Sequence, residues 1–320
     1  LELYEPFHLK DFQSVFSIID SEAIGGVDFH TGGFPVQYGD RMSGVMDISV
    51  ATPAGPAATE IEISTINARV LTQGMFDDGT GHYFVNARAW YPAAIVNAAR
   101  DPTADVTTDY YDLLARIQHR LGRRSELSLN LLTAYDDLGY TEVAEDETQV
   151  VRAEYASYSA WFNLQTQWTP QLWSQTVLSA GRLTRQRTGV VDDVEDGRLD
   201  VEDDRSFEFA GLSQDWAIEL SSRNILKAGF DVVRQEAVYD YVSSTTLRDP
   251  DSPTDPLPPT TEVDTHLDPE GTAYSVYVAD RIQVVDPLVL ELGLRWDRQT
   301  WIGDDQVSPR INILYSAGER

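Results

Sequence analysis

Apolar and polar residues alternate with a period of two along most of the chain, the signature of strands with one apolar and one polar face. In 110–121 one face reads Tyr111, Leu113, Ala115, Ile117, His119, Leu121. The other reads Tyr110, Asp112, Leu114, Arg116, Gln118, Arg120. In 125–135, Leu127, Leu129, Leu131 and Tyr135 oppose Glu126, Ser128 and Asn130. In 154–168, Ala156, Tyr158, Ala160, Phe162, Leu164 and Trp168 oppose Ser157, Ser159, Asn163, Gln165 and Gln167. In 287–299, Leu288, Leu290, Leu292, Leu294 and Trp296 oppose Glu291, Arg295, Asp297 and Gln299. The segments 171–188 and 272–283 carry apolar residues on both faces, and 207–220 changes phase near Gly211, as a bulge would produce. Only 11–20 reads as a possible amphipathic helix.

Twelve strands follow from the pattern. Two lie in 60–76, folded tightly near Ile66–Asn67. The others are 82–91, 110–121, 125–135, 153–168, 171–188, 206–220, 224–241, 272–284, 287–301 and 308–316. They are longer than the roughly 5–6 residues usual in soluble proteins, and they match the roughly 9–11 that a tilted membrane-spanning strand needs. Their apolar faces end in aromatics such as Tyr91, Tyr111, Tyr135, Trp168 and Trp296, which suit headgroup depth. The longest uncharged window, Tyr155–Gly181, is too polar for a spanning helix, with Asn163, Gln165, Gln167, Gln171 and Gln175, and Pro170 inside. Any membrane crossing must therefore use strands. Short connections (76–81, 121–125, 168–171, 221–224, 285–287) alternate with long ones (92–109, 136–152, 189–205, 243–271, 302–307), as in outer-membrane barrels.

The chain of 320 residues carries 52 acids against 24 basic residues, a net charge of −28. That sign argues against a nucleic-acid partner. The five long connections hold 26 of the 52 acids and five arginines, so the negative charge belongs to one rim. A soluble acidic protein would spread it. With no cysteine, disulfides, thiol catalysis and cysteine-ligated metals are excluded. His8, His30, His82, His119 and His266 show no metal-ligand spacing, and no phosphate loop, dinucleotide fingerprint or nucleophile elbow occurs. No enzyme activity, cofactor or metal is therefore expected. Asp192, Asp193, Glu195, Asp196, Gly197 and Asp203 partly mimic a calcium loop, but Val194 stands at the third position. Loose divalent-ion bridging to lipopolysaccharide suits them better than a dedicated site.

Residues 1–50 differ from the rest. They are compact and glycine-punctuated, with Gly32, Gly33, Gly39 and Gly44 suited to turns or close approach, Pro35 fixing a turn, and Val45–Ile48 reading as a short strand. The segment 51–59, with Pro53, Gly55 and Pro56, reads as a linker. The stretch Gly32-Gly33-Phe34-Pro35-Val36-Gln37-Tyr38-Gly39-Asp40-Arg41, followed by Gly44-Val45-Met46-Asp47-Ile48, resembles the end of the plug domain of TonB-dependent outer-membrane receptors. The form of Gly32–Arg41 also resembles a subgroup that often carries a carboxypeptidase-regulatory-like N-terminal domain, and Leu3-Tyr4-Glu5-Pro6-Phe7-His8, well upstream, fits it too. Ser43 departs from the family, where a second glycine is common. Tyr277–Arg281, Leu292–Asp297 and Ser308-Pro309-Arg310 follow in the family's order.

The resemblance implies an all-β protein of the bacterial outer membrane. Residues 1–50 would be the C-terminal part of a plug, 51–59 a linker and 60–320 part of an antiparallel transmembrane barrel of about 22 strands. The chain would be an internal piece of a longer receptor, with the TonB-contacting motif upstream. The implied function is import of a scarce nutrient (siderophore-iron, cobalamin, glycan or peptide), with TonB, lipid and lipopolysaccharide as partners. A passive porin or scaffold barrel and a secreted all-β adhesin are the alternatives. The implied plug residues are Gly32, Gly33, Tyr38, Gly39, Arg41, Gly44 and Asp47. Arg41 and Asp47 are expected to pair with barrel-wall charges. On the polar strand faces, Arg88, Arg116, Arg120, Lys227 and Arg295 either form a cationic wall for an anionic ligand or pair with acids and the plug.

Overall fold

The computed structural model describes residues 1–8, 16–39, 43–53, 55–93, 97, 104–247 and 260–317. Four short strands come first: β1 (Phe7–His8), β2 (Phe16–Ser17), β3 (Ile24–His30) and β4 (Val45–Val50). β1 pairs with β2 and β3 with β4. There follow β5 (Ala58–Ile63), β6 (Asn67–Phe76), β7 (Gly81–Trp90), β8 (Ala104–Leu121), β9 (Ser125–Val143) and β10 (Glu147–Thr169). The sheet continues with β11 (Leu172–Asp193), β12 (Gly197–Ser221), β13 (Asn224–Leu247), β14 (Thr261–Leu267), β15 (Glu270–Val285), β16 (Leu288–Gln299) and β17 (Asp304–Tyr315). These thirteen form one antiparallel sheet in which sequence neighbours pair, except that β13 takes both β14 and β15. No described helix is long and apolar enough to cross a membrane.

The pleat puts successive side chains on opposite faces. The outward face carries Ile117, Leu129, Leu131, Leu178, Val276, Val278, Leu292 and Leu294, all exposed apolar residues. Tyr111, Tyr135, Tyr158 and Tyr274 flank them on the same face. The inward face packs on residues 1–50. There Leu71, Phe84, Leu114, Leu132 and Ala134 bury Ile18 and Ala23, with Leu3, Ile19, Val50 and Trp161 at the margin. Further along, Val36 packs against Tyr277 and Ala279.

Five expectations change. Thirteen strands stand where the pattern gave twelve, because β14 lies inside the segment read as a long connection. The connections 136–152 and 189–205 are mostly paired strand, with turns only at 144–146 and 194–196. The ladder from β12 to β13 runs in one register through Gly211, so no bulge lies there. Phe207 and Phe209 are apolar and inward because they pack on Tyr4, with ring centroids at 4.9 and 5.1 Å. Of the expected helix, 11–15 lie outside the described residues, Phe16–Ser17 is a strand, and Asp20 caps a single 3-10 turn at Ser21–Ala23. The sheet begins at Ala58, two residues before the expected boundary.

Candidate functional site: the lumenal face of the sheet and the segment it holds

Four arginines on the inward face donate to main-chain carbonyls of the first fifty residues. Arg88 Nη2 reaches Ser17 O at 2.8 Å, and Arg116 Nη1 reaches Val50 O at 2.9 Å. Arg295 Nη1 reaches Gln37 O at 2.7 Å. Arg310 Nη1 reaches Pro35 O at 2.7 Å and Phe34 O at 3.1 Å. A guanidinium presents several fixed donors, so each can serve a carbonyl and a carboxylate together. Arg88 Nε takes Asp112 at 2.8 Å and the guanidinium lies over Trp90. Arg295 Nε takes Asp297 at 2.8 Å.

Of the five predicted cations, Arg88, Arg116 and Arg295 thus hold the N-terminal segment. Arg120 is exposed and Lys227 half-buried; both are on the inward face, and neither side chain makes a hydrogen bond or ion pair to another described residue. Arg310 belongs with the holding set. It stands in the Ser308-Pro309-Arg310 motif, but nothing local says which carbonyl it meets.

The predicted plug residues divide. Gly33 has φ +59°, a conformation that side chains disfavour. At Gly39 a Cβ would lie 2.6 Å from Arg295 Nε, so the glycine lets the arginine reach past it to Gln37. Gly44 approaches His30 O, whereas Gly32 has open space. Tyr38 donates to Asp47 at 3.0 Å. Burial, then the Asp47 charge, push the Tyr38 phenol up to about 12. Asp47 is therefore engaged within the segment rather than with the wall, where opposing charges are taken by main-chain carbonyls instead. Arg41 lies outside the described residues.

Two further anchors come from residues with no sequence signal. Asp20 accepts from Asn86 Nδ2 at 2.8 Å and lies 3.5 Å from Arg69 Nη1 and 4.0 Å from Arg88 Nε. Burial acts to raise its pKa, but Asn86, the Glu22 amide and the two arginines outweigh it and hold the carboxyl below the ordinary range. His8 is fully buried between Asp112 and Asp136.

Beyond the core formed with residues 1–50, the inward face changes character. Tyr155, Arg185, Arg205 and Tyr239 are consecutive partners across β10–β13. Two residues on along each strand toward the acidic turns, Arg187, Asp203 and Tyr241 are likewise partners. The Arg205 guanidinium lies 4.4 Å from the Tyr239 ring centroid and Arg185 lies 5.3 Å from that of Tyr155. Arg187 and Arg205 both hold the fully buried Asp203. At the 194–196 turn, Asp193 Oδ1 accepts from the amides of Glu195 and Asp196 at 2.7 and 2.8 Å, so it caps the turn.

The family model described as "TonB dependent receptor-like, beta-barrel" matches residues 65–319. No curated protein matches the chain in sequence. Among solved structures, the outer membrane transporter YddB from Escherichia coli aligns with a TM-score of 0.65 and 11% identity, over 96% of this chain and 48% of that one. The ferric citrate transporter FecA aligns at 0.57 and 13%, over 98% and 50%. The siderophore receptor PiuA from Acinetobacter baumannii aligns at 0.56 and 12%, over 91% and 51%. At these identities the likeness is one of fold, and the chain spans about half the length of each. The outward apolar face, the packed inward segment and the family match over 65–319 agree: the chain belongs to the TonB-dependent receptor family, as part of a β-barrel of the bacterial outer membrane.

Proposed function

We propose that this chain is part of a receptor that imports a scarce nutrient through the outer membrane by energy-coupled movement of a plug. Residues 1–50 act as the C-terminal part of that plug, 51–57 as a linker and the sheet from Ala58 as barrel wall. TonB acts through another part of the receptor. The observation that carries this reading is the set of arginine-to-carbonyl contacts from Arg88, Arg116, Arg295 and Arg310. Each is a charge-assisted hydrogen bond, individually worth roughly 1.5–3 kcal/mol, so the segment is held at several points that can break one at a time. A passive barrel has no need of such a segment, and an adhesin has no need of a lipid-facing wall. The chain carries out no chemistry on its cargo.

The cargo is anionic on this reading. The wall around Arg185, Arg187 and Arg205 carries Tyr155, Tyr239 and Tyr241; Asp203 already occupies Arg187 and Arg205, so this stretch offers aromatic surface rather than free positive charge. Arg120 and Lys227 add positive charge on the same face. Lipopolysaccharide and lipid contact the outward face and acidic rim.

The test uses the intact receptor. Uptake of the cognate nutrient should require TonB. Deleting residues 32–50 should abolish that uptake and sensitise cells to vancomycin, because the segment closes the lumen. Uptake that ignores TonB, together with unchanged vancomycin sensitivity after the deletion, would leave a passive barrel as the better account.

A further inference from the structure

His8 is a buried titratable group to which nutrient import assigns no role. Its side chain is inaccessible, and both ring nitrogens face carboxylates from different strands. Nε2 lies 3.1 Å from Asp112 Oδ2 on β8, and Nδ1 is hydrogen-bonded to Asp136 Oδ1 on β9. The ring stacks on Tyr110 of β8 at 5.4 Å. A neutral imidazole has one N–H and one lone pair, so in this position it would turn that lone pair toward a carboxylate. Only the imidazolium donates on both sides.

The carboxylates around it belong to a wider charged network. Asp112 is shared with Arg88 of β7, which lies 4.0 Å from Asp20; Asp20 in turn lies 3.5 Å from Arg69 of β6. Glu62 takes the exposed side of Arg69 at 2.7 Å.

We propose that His8 docks as an imidazolium and is the positioning residue that ties the start of this chain to the barrel wall, so that loss of one proton releases residues 3–8. Burial alone would lower the histidine's pKa, but its hydrogen bonds to Asp112 and Asp136 outweigh that and raise it. The raised value sets the direction. Docking is strongest below the ordinary histidine pKa, near 6.5, and is lost as pH rises through the higher docked value. Tyr4 follows His8, because its contacts to Phe207, Phe209 and Gln235 lie four residues along the same strand of chain. The proposal concerns docking alone and stands whether or not the protein imports a nutrient.

The test uses the intact receptor in detergent micelles, labelled with 15N in its histidine rings. His8 is assigned by difference from His8→Gln. At pH 7 both ring nitrogens of His8 should give imidazolium shifts, with a midpoint above 6.5. Hydrogen exchange then reads the docking. Relative to intrinsic rates, protection of the amides in 3–8 should fall by up to about tenfold per pH unit between 6.5 and that midpoint and level off above it. His8→Arg, which keeps the charge, should hold protection through the same range. His8→Gln should lack it already at pH 6. A neutral His8 at pH 7, or wild-type protection flat across the titration, overturns the proposal. Both are read on the wild-type protein, so a misfolded variant does not shield it.

Discussion

Gly39 and Arg295 show how one residue without a side chain decides what another can do. Arg295 is nearly buried, and it spans from Asp297 to the Gln37 carbonyl across the space that a Cβ at Gly39 would fill. Gly39→Ala should therefore destabilise the docked segment by about 1–3 kcal/mol, the usual cost of overpacking. Arg295→Ala should cost a similar amount, because it strands a carbonyl and a carboxylate. The two effects should not add in the double variant, since each breaks the same contact. Denaturant titration of the segment's exchange protection measures all three. Asn130 carries a related lesson. It lies on the polar face of its strand, yet it is buried, donating to Ser128 Oγ at 3.2 Å and Trp161 O at 3.3 Å. An inward polar position here is a packed one, and a charge placed there would not be tolerated as it is in open lumen.

At the scale of the strand, the two faces meet different solvents. Leu129 on β9 is 54% exposed on the outward face, where the bilayer would cover it. Leu129→Arg should cost roughly 2–4 kcal/mol and lower barrel assembly, while Leu129→Phe should not. Phe209 on β12 is apolar but inward and packed on Tyr4. Phe209→Arg should leave assembly intact and loosen residues 1–8. Folding into lipid vesicles, scored by heat-modifiable gel mobility, separates assembly from docking when paired with hydrogen exchange. Equal assembly defects at both positions would mean that the faces are misassigned. The phase change in 207–220 has the same origin. Apolar residues appear on the inward face wherever the segment covers it, as Leu71, Phe84, Leu114 and Leu132 do over Ile18 and Ala23. A two-sided apolar strand in this family position reports a packed interior, and no bulge is needed to explain it.

For the whole molecule, the acidic turns and the short turns lie at opposite ends of the sheet. β11 and β12 run as a paired ladder from the short turns to a tip at 194–196, so the acids of 189–205 other than Glu195 and Asp196 sit on ordered strands beyond the apolar band. An epitope inserted after Glu195 should be labelled on intact cells. Labelling only after permeabilisation of the outer membrane would reverse the topology. Ordered strands also make those acids a fixed charge, so their field should be screened by salt over about 8–10 Å at ordinary ionic strength.

The alternation of Leu127, Leu129 and Leu131 with Ser128 and Asn130 is a local property, because the pleat alone assigns neighbouring side chains to opposite faces. Strand number, strand positions, the outward apolar band and the distinct first fifty residues are therefore legible in the sequence almost completely. Lengths were less so: the strand extensions through 136–152 and 189–205 mix acids with scattered apolar residues such as Leu138, Val150, Val151, Val190 and Val191 and show no clean alternation, and their partners hold them in ladder. The roles of the inward cations were legible only as two alternatives, a wall for an anionic ligand or pairing with acids and the plug. Arg88 and Arg295 look like Arg120 and Lys227 in pattern, and what separates them is whether a carbonyl from another part of the chain arrives within 3 Å. His8 lies 128 residues from Asp136. Contacts of that span are made by register and by the path of the packed segment, neither of which has a periodic trace. The sequence by itself determined which face each residue takes; only the tertiary structure decided what that face meets.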